Sequence, residues 1–122
     1  MLQIIVPFPD SSLLPNNKNG QSWRTTQRAK LSAKQAGMIA ALEAMQGSDK
    51  LPPRNVDVTI VFTPPDRRRR DVDGMLSALK PTLDGIAEGL GVDDSRFNPV
   101  HIHRGEPIQG GKVTIIIDDL PF

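Results

Sequence analysis

The sequence predicts an α/β (α+β) fold, a small mixed β-sheet with two main helices in the order β-α-β-α-β-β. Three observations lead there. Residues 56–62 alternate with strand period, two longer stretches repeat apolar residues at helical spacing, and Gly110-Gly111 separates two β-prone runs late in the chain. A chain of 122 residues, 38% of them hydrophobic, suffices for one core, so residues 1–122 are expected to form a single domain.

Residues 3–6 are a β-rich run closed by Pro7 and Pro9, the first strand. Residues 10–21 hold Ser, Pro, Gly and three Asn, a composition of turns. Thr25 or Thr26 is placed to cap the first helix. In it, Leu31, Met38, Leu42 and Met45 form one apolar stripe, while Ala29, Ala33, Ala36, Ala40 and Ala44 line the opposite side. Gly47 and Ser48 end the helix, and Pro52 and Pro53 prevent its continuation. The second strand stops at Pro64 and Pro65. Met75, Leu76, Leu79, Leu83, Ile86 and Leu90 then define a second amphipathic helix, with a kink expected at Pro81 and termination at Gly89 and Gly91. Residues 100–104 and 113–117 complete the sheet.

Cysteine is absent, which removes disulfides, thiolate metal sites and cysteine nucleophiles and makes a reducing cytoplasm the expected setting. No apolar stretch approaches bilayer length, so no membrane partner is expected. The net charge is +1, yet it is segregated: eleven basic and five acidic residues precede Asp71, and four basic and nine acidic follow from it onward. Such a division suits a polyanion on one surface and a cation held by the other.

Asp71-Val72-Asp73 is followed about twenty residues later by Asp93-Asp94. At a strand-to-helix junction the backbone is extended enough for Asp71 and Asp73 to converge on one ligand. Gathered carboxylates repel one another unless a divalent cation compensates them, and oxygen donors without His or Cys suit Mg²⁺ or Mn²⁺. The plainer alternative is a helix cap at Asp71 or Asp73 and a turn at Asp93-Asp94. Asp73, Ser77, Lys80 and Asp84 stand at i, i+4, i+7 and i+11 on one helix face. Lys80 can therefore reach the acidic groups and stabilise phosphoryl charge, or simply pair with Asp84. Arg67, Arg68, Arg69 and Arg70 run directly into Asp71, and guanidinium forks grip phosphates. Lys18, Arg24 and Arg28, with Lys30 and Lys34, extend that basic surface. Trp23 is expected to pack where loop meets helix, with stacking on a base as the alternative. His101 and His103 share a strand face but have no third ligand nearby in sequence.

These residues resemble the RusA-type Holliday junction resolvases, small endonucleases often encoded by phages and prophages. The resemblance covers most of the chain. Its most specific parts are Arg67 to Arg70 running into Asp71-Val72-Asp73-Gly74, then Leu79-Lys80-Pro81-Thr82-Leu83-Asp84-Gly85, and Val92-Asp93-Asp94-Ser95. The opening Val6-Pro7-Phe8-Pro9, the Asn-containing loop and Trp23 are similar too. The resemblance implies a Mg²⁺-dependent endonuclease, with Mn²⁺ a possible substitute, that acts as a homodimer on four-way branched DNA in recombination and repair inside a bacterial host. It implies Asp71, Asp73 and Asp94 as metal ligands and Lys80 as the catalytic cation. This sequence departs from the pattern twice: Gly74 stands where Asn is common, and Lys80 lies about one turn beyond the usual lysine, whose place Ser77 takes. Sequence does not distinguish Asp93 from Asp94 as the ligand. A non-catalytic branched-DNA-binding module and a metal-dependent phosphohydrolase are the alternative readings.

Overall fold

A computed structural model describes residues 1–14, 23–46 and 54–119. The chain runs β1 (Leu2–Val6), α1 (Trp23–Ala44), β2 (Val56–Thr63), α2 (Val72–Leu90), β3 (Phe97–Arg104) and β4 (Lys112–Asp119), with 3₁₀ turns at Ser11–Leu13 and Asp94–Arg96. Class and element order are those the sequence predicts. Lys18, the helix stop at Gly47 and Ser48, Pro52, Pro53 and most of the loop over residues 10–21 lie outside the described residues.

The sheet has the order β1-β4-β2-β3. β4 is antiparallel to both β1 and β2, whereas β2 and β3 are parallel. A parallel pair needs a crossover, and α2 supplies it. Strand alternation sends Ile4, Val6, Val58, Ile60, Phe62, Val113, Ile115 and Ile117 to the same face, where they join Met75, Leu79, Ile86 and Leu90 of α2 and Ala41 of α1 in one buried cluster. Each fully buried large side chain there contributes about 1.5–3 kcal/mol. β3 begins at Phe97, earlier than expected, because Asn98 and Pro99 precede the alternation that starts at Val100 and, on an edge strand, are exposed.

α1 departs from expectation in three ways. It begins at Trp23, ahead of the expected caps Thr25 and Thr26. Of the apolar stripe, Met45 packs against the core but Leu31 and Leu42 are exposed, and so is Trp23 at 74%, which does not pack where loop meets helix. The small residues make the contact with α2 instead, with Gly37 and Ala41 buried. A Cβ on Gly37 would stand 2.3 Å from the Thr82 carbonyl oxygen, and one on Gly85 only 1.9 Å from that of Lys34. Backbones this close leave no space for a large side chain, so glycine, not leucine, marks the seam. Gly89 belongs to the same seam, where its Cβ would meet the Met38 carbonyl at 2.8 Å. It lies inside α2 and does not end it. α2 also continues through Pro81 and stops at Gly91, whose φ of 72° is left-handed and whose N–H donates to the Ala87 and Glu88 carbonyls.

Candidate active site

Two groups of sequence-predicted residues occupy α2 and its flanks. The first is at the head of the helix. Asp71 is the N-cap residue with extended backbone (φ −79°, ψ 143°), yet its side chain makes no capping hydrogen bond. Among the described residues Asp73 accepts only from the adjacent Gly74 N–H, at 3.0 Å. Both aspartates are exposed. A cap residue whose carboxylate does not cap leaves its oxygens open to other donors or to a cation.

The second group lies farther along α2. Lys80 Nζ donates to Asp84 Oδ1 at 2.6 Å and also to Asp94 Oδ2. These bonds, that to Asp84 foremost, hold the Lys80 ammonium above its ordinary pKa. The Gly91 cap explains how Asp94 arrives there. Val92 N–H returns to the Ala87 carbonyl at 3.0 Å, which turns the chain back along the helix it has just left. Asp93 accepts from Ser95 N–H at 2.9 Å and so caps the Asp94–Arg96 turn, a bond that lowers its pKa. Arg96 Nε ties the same turn to the Arg54 carbonyl at 3.1 Å. With Asp93 so engaged, Asp94 is the member of the pair that faces α2.

The structure does not bring Asp71, Asp73 and Asp94 together. Among the described residues no group of three Asp, Glu or His is close enough to hold a metal ion. Seven residues separate Asp73 from Lys80, a rise of roughly 10 Å along the helix, and Asp94 is held at the Lys80 end. The donor set is nevertheless all carboxylate oxygen, the chemistry that Mg²⁺ takes, and the Asp71 oxygens are uncommitted by the helix.

The four arginines divide. Arg70 is structural: its side chain is 14% exposed, bonds Asp66 at 2.9 Å and lies 5.3 Å from the centre of the Phe8 ring. That bond, followed by one from the Arg68 N–H, holds Asp66 below the usual carboxylate range. Arg67, Arg68 and Arg69 remain exposed. Arg24 and Arg28 are exposed on α1. Arg104 is a residue the sequence reading missed. It ends β3 and donates to the Arg70 carbonyl at 2.8 Å, which adds a cation beside the arginine loop. Only the parallel pairing of β2 with β3 reveals this position, 34 residues away in sequence. His101 is bonded to Asp57 at 3.0 Å, away from the carboxylates of α2. No helix among the described residues is long and apolar enough to cross a membrane.

Fold and site together define a small mixed-sheet α+β protein with carboxylates and a lysine along one helix and a basic loop at its head. The chain is 34% identical over 118 residues to an uncharacterized protein of Xylella fastidiosa, covering 96% of this chain and 76% of that protein, and it belongs to the same family. It is also 25% identical over 118 residues to the crossover junction endodeoxyribonuclease rusA of Enterobacteria phage HK97, covering 97% of this chain and 94% of the phage protein. This distant likeness, running nearly the whole length, supports a RusA-like family. No protein-family model matches the chain.

Proposed function

We propose that this protein is a Mg²⁺-dependent, structure-selective endonuclease that resolves four-way DNA junctions by paired phosphodiester hydrolysis. The observation that supports this most is a lysine of α2 set between Asp84 of the same helix and Asp94 of the turn that follows it, in a chain matched almost throughout by a phage junction endonuclease. Asp71, Asp73 and Asp94 are the residues assigned to the metal, with Mn²⁺ an acceptable substitute. Bound there, the ion would lower the pKa of water and neutralise charge on the phosphoryl group. Lys80 neutralises Asp94 as the chain stands; with Asp94 otherwise engaged, its ammonium is available to the departing oxygen. Arg67, Arg68 and Arg69 attract the phosphate backbone. Two cuts on strands related by twofold symmetry call for two sites, and the chain carries one such set, so the working form is a homodimer.

Incubating an end-labelled four-way junction and a matched linear duplex with and without Mg²⁺ tests this reading. The junction alone should be cut, and only with the metal present. Asp71→Asn, Asp73→Asn and Asp94→Asn should each abolish cleavage while junction binding survives or tightens, because each also removes a charge that repels phosphate. Undiminished cleavage in the first two variants would overturn the metal assignment. Tight junction binding with no cutting in Mg²⁺ would favour the non-catalytic module.

A further inference from the structure

Between α1 and α2, beside Lys80, lies a groove of about 490 Å³, within the size range of pockets that hold one small ligand. Leu31, Ala78 and Pro81 give it an apolar lining; Lys30, Lys34 and Lys80 line it with three cations, against the single carboxylate of Asp84, which is bonded to Lys80. Trp23, Gln27, Lys30, Leu31 and Lys34 stand at i, i+4, i+7, i+8 and i+11 on one face of α1. The exposed indole of Trp23 therefore stands on the groove-lining face, one turn before Gln27. α1 carries Arg24, Arg28, Lys30 and Lys34 and no acid before Glu43. Lys34 is paired with Glu88 at 3.3 Å, whereas Arg24, Arg28 and Lys30 have no ion-pair partner among the described residues.

We propose that this groove takes one unstacked nucleotide of the DNA strand, its base against Leu31 and Pro81 and its phosphates on Lys30 and Lys34, with the neighbouring base stacked on Trp23. The inference rests on the nuclease reading and deepens it. A polyanion with planar apolar bases is the partner that matches a cationic helix face holding an exposed indole and an apolar slot. A continuous duplex keeps its bases stacked inside and offers the groove only phosphates. At a branch point stacking is interrupted, so turning one base outward costs least there. The groove would thus tell a branch from a linear duplex without reading sequence.

The test uses the full chain in chelator, where cutting is not needed. The probes are a fluorescein-labelled short oligothymidylate and a four-way junction with 2-aminopurine at the exchange point. The wild-type protein should bind the oligothymidylate with quenching of Trp23, its single tryptophan, and should raise 2-aminopurine emission as that base leaves the stack. Trp23→Ala and Lys30→Glu, both at exposed positions, should weaken oligothymidylate binding by about tenfold or more and suppress the emission rise, with melting temperatures unchanged. If the wild type cuts junctions but neither variant changes binding or emission, the groove proposal falls and the nuclease reading stands. If junctions are not cut yet the variants lose oligothymidylate binding, the groove proposal stands and the nuclease reading falls. Failure of the wild type to bind oligothymidylate or to alter the emission overturns the groove proposal.

Discussion

Asp93 and Asp94 are chemically identical neighbours with different partners, one bonded to a backbone N–H of its own turn and the other to Lys80. No pattern in the sequence separates them, because the choice depends on the direction in which the Gly91 cap returns the chain. Lys80 and Asp84 were legible as a pair, since i,i+4 spacing alone places them together. At 57% exposure of the lysine side chain, such pairs contribute only about 0.2–1 kcal/mol, so this one matters more for where it holds the ammonium than for stability. Arg70 was legible as a cation but not as a half-buried one, because Phe8 reaches it from a remote segment, although Asp66 stands only four residues away. That clamp has a pH signature. Asp66 lies below its ordinary value of 3.8 in the folded chain, so its contribution is complete above that value and is lost as pH falls through the lowered one. Thermal melting from pH 7 into acid should show a steeper loss of stability below about pH 4 in the wild type than in Asp66→Asn, which cannot titrate there. Equal acid limbs would mean that the clamp does not form.

The two helices show when periodicity can be trusted. α2 reads correctly because it lies on the sheet, where large side chains fill the space, and Met75, Leu79, Ile86 and Leu90 are all buried as their spacing indicates. The stripe on α1 reads only in part, with Met45 packed against the core but Leu31 and Leu42 exposed, because the helix meets α2 through Gly37 at backbone contact distance, where no large side chain fits. Apolar spacing detects area, whereas this seam is selected by the absence of side chains. Gly85→Ala should therefore cost about 1–3 kcal/mol or more, as its methyl would lie 1.9 Å from a carbonyl oxygen that cannot move alone. Gly91→Ala, with a left-handed φ but nothing within 4 Å, should cost about 1–2 kcal/mol. Chemical denaturation of the two variants beside the wild type checks the order, and a harmless Gly85→Ala would contradict the described seam.

At the scale of the whole molecule, β-α-β-α-β-β was readable from the sequence, but the strand order was not. That β4 inserts between β1 and β2, and that β2 and β3 run parallel, is decided by pairings remote in sequence. The same distance in sequence hid Arg104. One outward side of the sheet, with Ile5 at 53% exposure, and the outer side of α1, with Ile39 and Leu42, present apolar residues that the monomer leaves uncovered. Sedimentation should give about twice the chain mass of 13.4 kDa. Mixed dimers with one Asp73→Asn subunit should leave junctions nicked, while paired cuts by a stable monomer would refute the symmetry argument. The meeting of Gly85 with the Lys34 carbonyl has a mechanical side as well. Two rods touching backbone to backbone cannot slide or breathe as rods separated by flexible side chains can. Trp23 and Lys80 are thus mounted like the jaws of a fixed gauge. Under the proposed activity, the offset between the branch and the severed bond is a length built into the scaffold, the same for every sequence that enters.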